Sequence, residues 1–232
     1  MYKFIPLLLA SMFLVSSLQA KKAVVSFVVG KVWQKAKPGK KAKYRRVRLG
    51  DKIKENATIV TGNASYVTLV YNKSEFKLMP KTTFHMQSLP TNKKAGKVKI
   101  KKGFGWFKIR NAKKGFNAST VTSTAGVRGT AFATIYDKKN KKAFNCICHG
   151  KVEVGNLQKK KILFTAGNGS MIKRGTSKIV KTKYSDHIKK KHALVSFKKK
   201  IQADPILQNC LSCHTPKGWK WKGVPRDNTY GK

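Results

Sequence analysis

The 232-residue chain carries 52 Lys and Arg against 8 Asp and Glu, a formal net charge of +44, and 41% of it is apolar. That apolar share supports a packed core. The carboxylates (Asp51, Glu55, Glu75, Asp137, Glu153, Asp186, Asp204, Asp227) are spread singly, which argues against paired-carboxylate catalysis; with no activated nucleophile or phosphate loop in view, the chain reads as a non-enzyme.

The N-terminus opens with Lys3, an apolar run from Phe4 to Val15, and small residues ending at Ala20. This is the layout of a secretory signal peptide over residues 1–20. The run falls short of the roughly 20 residues that span a bilayer comfortably. The expectation is a periplasmic or otherwise exported protein with no transmembrane segment after cleavage. Lysine pairs and triplets recur throughout, for example Lys93-Lys94, Lys159 to Lys161 and Lys198 to Lys200. Such a surface attracts polyanions through a field that salt screens. Export turns that field away from nucleic acid and towards an anionic envelope polymer or lipid, or an acidic protein. A lysine-rich surface with no dedicated target is an equal alternative.

From Val24 to about Val180 the chain reads as short strands punctuated by Gly, Asn, Pro and Lys. Val24 to Val29 runs into Gly30, and Thr58-Ile59-Val60 into the turn signal Thr61-Gly62-Asn63. Tyr66 to Tyr71 is β-branched and aromatic, and Lys97-Val98-Lys99-Ile100-Lys101 alternates as a half-buried strand does. Phe104, Trp106, Ile109, Phe116, Val121, Phe132, Ile135, Phe144, Val152 and Val154 are the later core candidates. The aromatics among the bases of Lys102 to Lys108 could serve single-stranded nucleic acid, but in a β domain they read as core. The predicted fold is mainly β, a β-sandwich or short β-solenoid over residues 21–183, followed by a short α-helical C-terminal appendage over 184–232.

The ordered landmarks of the β segment resemble the FecR domain, the periplasmic domain of iron-dicitrate sensor regulators. They are Gly30-Lys31-Val32, Val47 to Ile53, Ile59-Val60-Thr61-Gly62 with Ser65 to Leu69, Phe76 to Thr82, and Gly150 to Val154 with Thr165-Ala166-Gly167. The most specific is Val121 to Phe132, which contains Arg128-Gly129-Thr130. The resemblance spans about residues 24–180 and implies a regulatory setting. Those regulators carry a cytosolic segment that contacts a sigma factor, then one transmembrane helix. A signal peptide stands in front of the domain here, so the expectation is a shared domain without the anti-sigma role. Read from its chemistry, Gly129 admits a backbone conformation closed to other residues. Arg128 offers five fixed donors suited to carbonyls or a carboxylate, and is expected to be a structural staple rather than a ligand contact.

Four cysteines are present. In Cys146-Ile147-Cys148-His149 the thiols lie two apart, on one face of a strand. Three readings stay open: a second metal site, completed by His149, His187 or His192 and suited to zinc, copper(I) or iron; two small core residues; or disulfides to Cys210 and Cys213.

Beyond Tyr184, Asp186 can cap a helix in which Ile188, Leu194, Val195, Phe197 and Ile201 recur at helical spacing. Pro205 marks a second short helical start, Ile206 to Leu211, leading into Cys210-Leu211-Ser212-Cys213-His214. This is the attachment spacing of a covalent c-type haem: Cys210 and Cys213 bond the porphyrin and His214 is the proximal iron ligand. Only 18 residues follow, and none is Met, so a second axial ligand would come from upstream. His192 is the favoured candidate ahead of His187, with His85, Met79 and Met86 in the β segment; the first two read equally well as solvated residues of a lysine-rich helix. The expected role is electron transfer or haem-based sensing with an unidentified redox or regulatory protein. The alternative is a non-redox binding or regulatory module with structural cysteines.

Overall fold

A computed structural model of the chain describes residues 21–36 and 43–183. These residues form seventeen strands in two sheets and no helix. One sheet runs in spatial order through β4 (Lys52–Lys54), β1 (Lys22–Val29), β6 (Tyr66–Tyr71), β7 (Ser74–Leu78), β9 (Gly96–Lys108), β12 (Ala131–Asp137), β13 (Lys142–His149), β16 (Asn168–Lys173) and β17 (Val180–Lys183). It is antiparallel throughout. The other runs through β3 (Arg45–Arg46), β2 (Val32–Lys35), β5 (Thr58–Thr61), β8 (Thr83–Ser88), β9, β10 (Phe116–Ser119), β11 (Ser123–Val127), β14 (Lys151–Asn156) and β15 (Lys161–Thr165), with β9–β10 its one parallel pair.

Strand β9 belongs to both sheets. Its first half, as far as Lys102, pairs with β8 and β10; its second half, from Gly103, pairs with β7 and β12. The crossing falls at Gly103, whose φ of +90° is one that side-chain-bearing residues rarely adopt. Short segments on either side alternate between the sheets, winding the chain around one shared interior.

The period-2 pattern builds that interior. In β9, Val98 and Ile100 face inward between exposed or half-buried lysines. Phe84 and Phe116 from one sheet meet Phe107 and Phe132 from the other, with ring centroids 5.7–6.5 Å apart. Such pairs contribute beyond the area they bury. A polar seam lies in the same interior: Thr134 Oγ1 donates to Asn145 Oδ1 at 3.0 Å, and Asn145 Nδ2 donates to Ser170 Oγ at 3.1 Å.

The core expectations hold for Ile109, Phe116, Phe132, Val152 and Val154, while Val121 packs half-buried against the core. Phe104, Ile135 and Phe144 are instead half-buried. They alternate with inward residues of β9, β12 and β13, so the pleat turns them to the opposite face. Trp106 is buried, but in a separate small cluster with Ala131, Ala133 and Cys146. Among the described residues no helix is long and apolar enough to cross a membrane. The signal peptide (1–20) and the helical appendage (184–232) lie outside the described residues.

Candidate functional site

Cys146 and Cys148 sit near the end of β13 on the face away from the main core. Cys146 is 7% exposed in the cluster with Trp106, Ala131 and Ala133, and Cys148 packs half-buried against the same group. The Lys77 ammonium lies 4.8 Å from the Trp106 ring centroid, at cation–π distance. The register explains the arrangement. Ile147 pairs with Phe132 and His149 with Ala131, so Cys148 is the extra residue of a β-bulge. Both residues are thiols. No group of three or more His, Cys, Asp or Glu that could hold a metal ion occurs among the described residues. Cys146 is packed among apolar side chains, Cys148 packs against the same cluster, and His149 follows at the end of β13. Whether His187 or His192 completes a metal site lies outside the described residues.

His85 on β8 is half-buried, and its Nδ1 is 3.1 Å from Thr58 Oγ1. Burial holds its pKa below the ordinary imidazole value, with Lys101 and Lys99 adding to the effect and the Ala57 carbonyl opposing it. Met79 and Met86 are buried at 5% and 0%. All three of these candidates for a second iron ligand lie in the β segment.

The turn from β11 to β12 departs from expectation. Gly129 has a φ of +66°, as its glycine demands. Arg128, however, is exposed and makes no hydrogen bond or ion pair among the described residues, where it acts as no staple. By contrast, Arg45 bridges to Asp51 at 3.1 Å, and Arg46 donates to the Gly30 carbonyl at 2.6 Å while lying over Trp33. Arg128 lines a cleft of about 580 Å³ with Lys114, Gly129, Thr130, Lys151 and Glu153. Sequence reasoning passed over Lys114 and Lys151. The only signal was their position beside Gly115 and Gly150, which does not stand out among 52 basic residues.

Cys210, Cys213, His214 and His192 lie outside the described residues. Their donor chemistry, two thiols three positions apart and an adjacent imidazole, fits what covalent haem requires.

Residues 57–153 match the family model described as FecR protein. This stretch contains β5 to β13, the Arg128 turn and both cysteines of β13, and it supports a FecR domain in this chain. No curated protein matches the chain. Two solved structures of a protein provisionally assigned as an anti-sigma factor from Parabacteroides distasonis ATCC 8503 are similar at 16% identity. Their TM-scores are 0.47 and 0.48, and each match covers 54% of this chain and 59% of the solved one. The likeness thus spans less than two thirds of that protein.

Proposed function

We propose that this chain is an exported FecR-domain protein that carries one covalent c-type haem and serves sensing or electron transfer rather than catalysis of its own. The observation that carries the reading is Cys210-x-x-Cys213-His214, placed beyond a β domain that ends its described strands at Lys183. The FecR match supports the regulatory side of the proposal. When bound, the haem supplies a one-electron couple, or an open iron position for a small ligand if no sixth ligand is present. Cys210 and Cys213 would hold the porphyrin, and His214 would orient and ligate the iron. His192 is the proposed second ligand, and a basic surface would steer an acidic regulatory or redox partner. Cys146, Cys148 and His149 would hold an additional metal ion only with a donor from residues 184–232.

The test is co-expression with haem-attachment machinery followed by a pyridine haemochrome spectrum. A covalent signal that disappears in Cys210→Ala/Cys213→Ala supports the proposal. A colourless protein removes it. The second reading, a basic module docking on anionic envelope material, is favoured by one observation, the unengaged Arg128 at a basic cleft. A colourless protein whose partner binding falls steeply with salt would favour it.

A further inference from the structure

The cleft at the β11–β12 turn has the features of a built anion site. Arg128 presents an unengaged guanidinium there, and Lys114 and Lys151 are exposed on its lining. Its one carboxylate, Glu153, is held by Lys161 at 2.8 Å, so the cleft keeps its positive character. Thr130 lines the same cleft at 4% exposure, and its buried hydroxyl has no hydrogen-bond partner among the described residues. Buried polar atoms are nearly always paired, so this one calls for an explanation. Gly150 lies against the methyl of the same residue: a Cβ there would come within 2.7 Å of Thr130 Cγ2, so a larger residue would displace Thr130.

We propose that this cleft binds a phosphate group, carried by a small phosphorylated solute or by a phosphomonoester lipid headgroup. The charge count selects phosphate over carboxylate. A lone carboxylate is satisfied by the Arg128 fork and leaves Lys114, Lys151 and the Thr130 hydroxyl unanswered. A phosphomonoester carries about −1.5 to −2 charge and three strong acceptor oxygens. Arg128 takes two of those oxygens in a bidentate pair. The lysines act as point charges on the remainder, and the hydroxyl gains an acceptor. The site is independent of haem and stands or falls separately from it.

The experiment titrates the full-length chain with inorganic pyrophosphate at low salt. In parallel it measures binding to vesicles of phosphatidic acid in phosphatidylcholine. The variants are Arg128→Gln, Lys151→Gln and Thr130→Val. Arg174→Gln, an exposed arginine outside the cleft lining, is the charge-matched control. Arg128→Gln is expected to weaken binding about tenfold or more, and Thr130→Val about threefold to tenfold. The control should change it less than about twofold, because it loses only one distant, screened charge. Arg128-dependent binding of pyrophosphate assigns a soluble ligand, and Arg128-dependent binding of vesicles alone assigns a headgroup. Equal losses from Arg128→Gln and Arg174→Gln would mean a diffuse lysine field and overturn the site. Absence of saturable binding in both arms would overturn it too.

Discussion

The hydroxyl of Thr82 occupies the place where a side chain on residue 103 would begin: a Cβ on Gly103 would sit 2.5 Å from Thr82 Oγ1. That hydroxyl accepts from Phe104 N–H at 2.9 Å, pinning β9 to the loop before β8 where the strand leaves one sheet for the other. Gly103→Ala combines this collision with an unfavourable φ of +90°. It is expected to cost about 2–4 kcal/mol. Equilibrium urea unfolding checks this, and a loss below about 0.5 kcal/mol would show that the crossing does not depend on residue 103.

Asn145 joins Thr134 and Ser170 inside the main core, where water cannot replace a lost partner. Asn145→Ala leaves both hydroxyls short of a bond and opens a void. The expected loss is about 2–4 kcal/mol. Exposed Thr124 on β11 is the comparison, and Thr124→Ala should stay within about 0.5 kcal/mol.

His85 makes stability depend on pH. Its folded pKa is depressed, first by burial and then by Lys101 and Lys99, so the unfolded chain takes up the proton more readily. The stability it contributes is full above the ordinary histidine pKa of about 6.5 and is lost as pH falls through the lower folded value. Wild-type Tm should therefore fall more between pH 7 and 5 than that of His85→Asn, which keeps a polar group near Thr58 but does not titrate. Parallel Tm profiles for the two proteins would contradict the assignment.

Cys146 and Cys148 differ in access although they share a cluster. Iodoacetamide applied to the folded protein should label half-buried Cys148 well before Cys146, which is 7% exposed. Peptide mass spectrometry over time reads the order. Labelling at equal rates would contradict the packing of Cys146 against Trp106.

Much of the fold was legible in the residues. Val98 and Ile100 alternate with lysines as a one-faced strand must, and Thr61-Gly62-Asn63 marks the end of a strand. The facing of Phe104, Ile135 and Phe144 was not legible, because an apolar side chain reads as core until strand register assigns it a face. Register also decides Cys148: the bulge opposite Ala131 and Phe132 comes from pairing with a distant strand and leaves no mark in Cys-Ile-Cys-His. Arg128 shows the same limit. Its donors are evident from its type, but whether an acceptor faces them is a tertiary fact. The Cys210-x-x-Cys213-His214 spacing carries its chemistry in sequence alone.

The intact mass of the purified mature protein, produced with haem-attachment machinery, tests the central claim most directly. The account predicts a polypeptide heavier by one haem, with Cys210 and Cys213 refusing alkylation after reduction. A mass equal to that of the polypeptide alone, with both thiols alkylated, would contradict it.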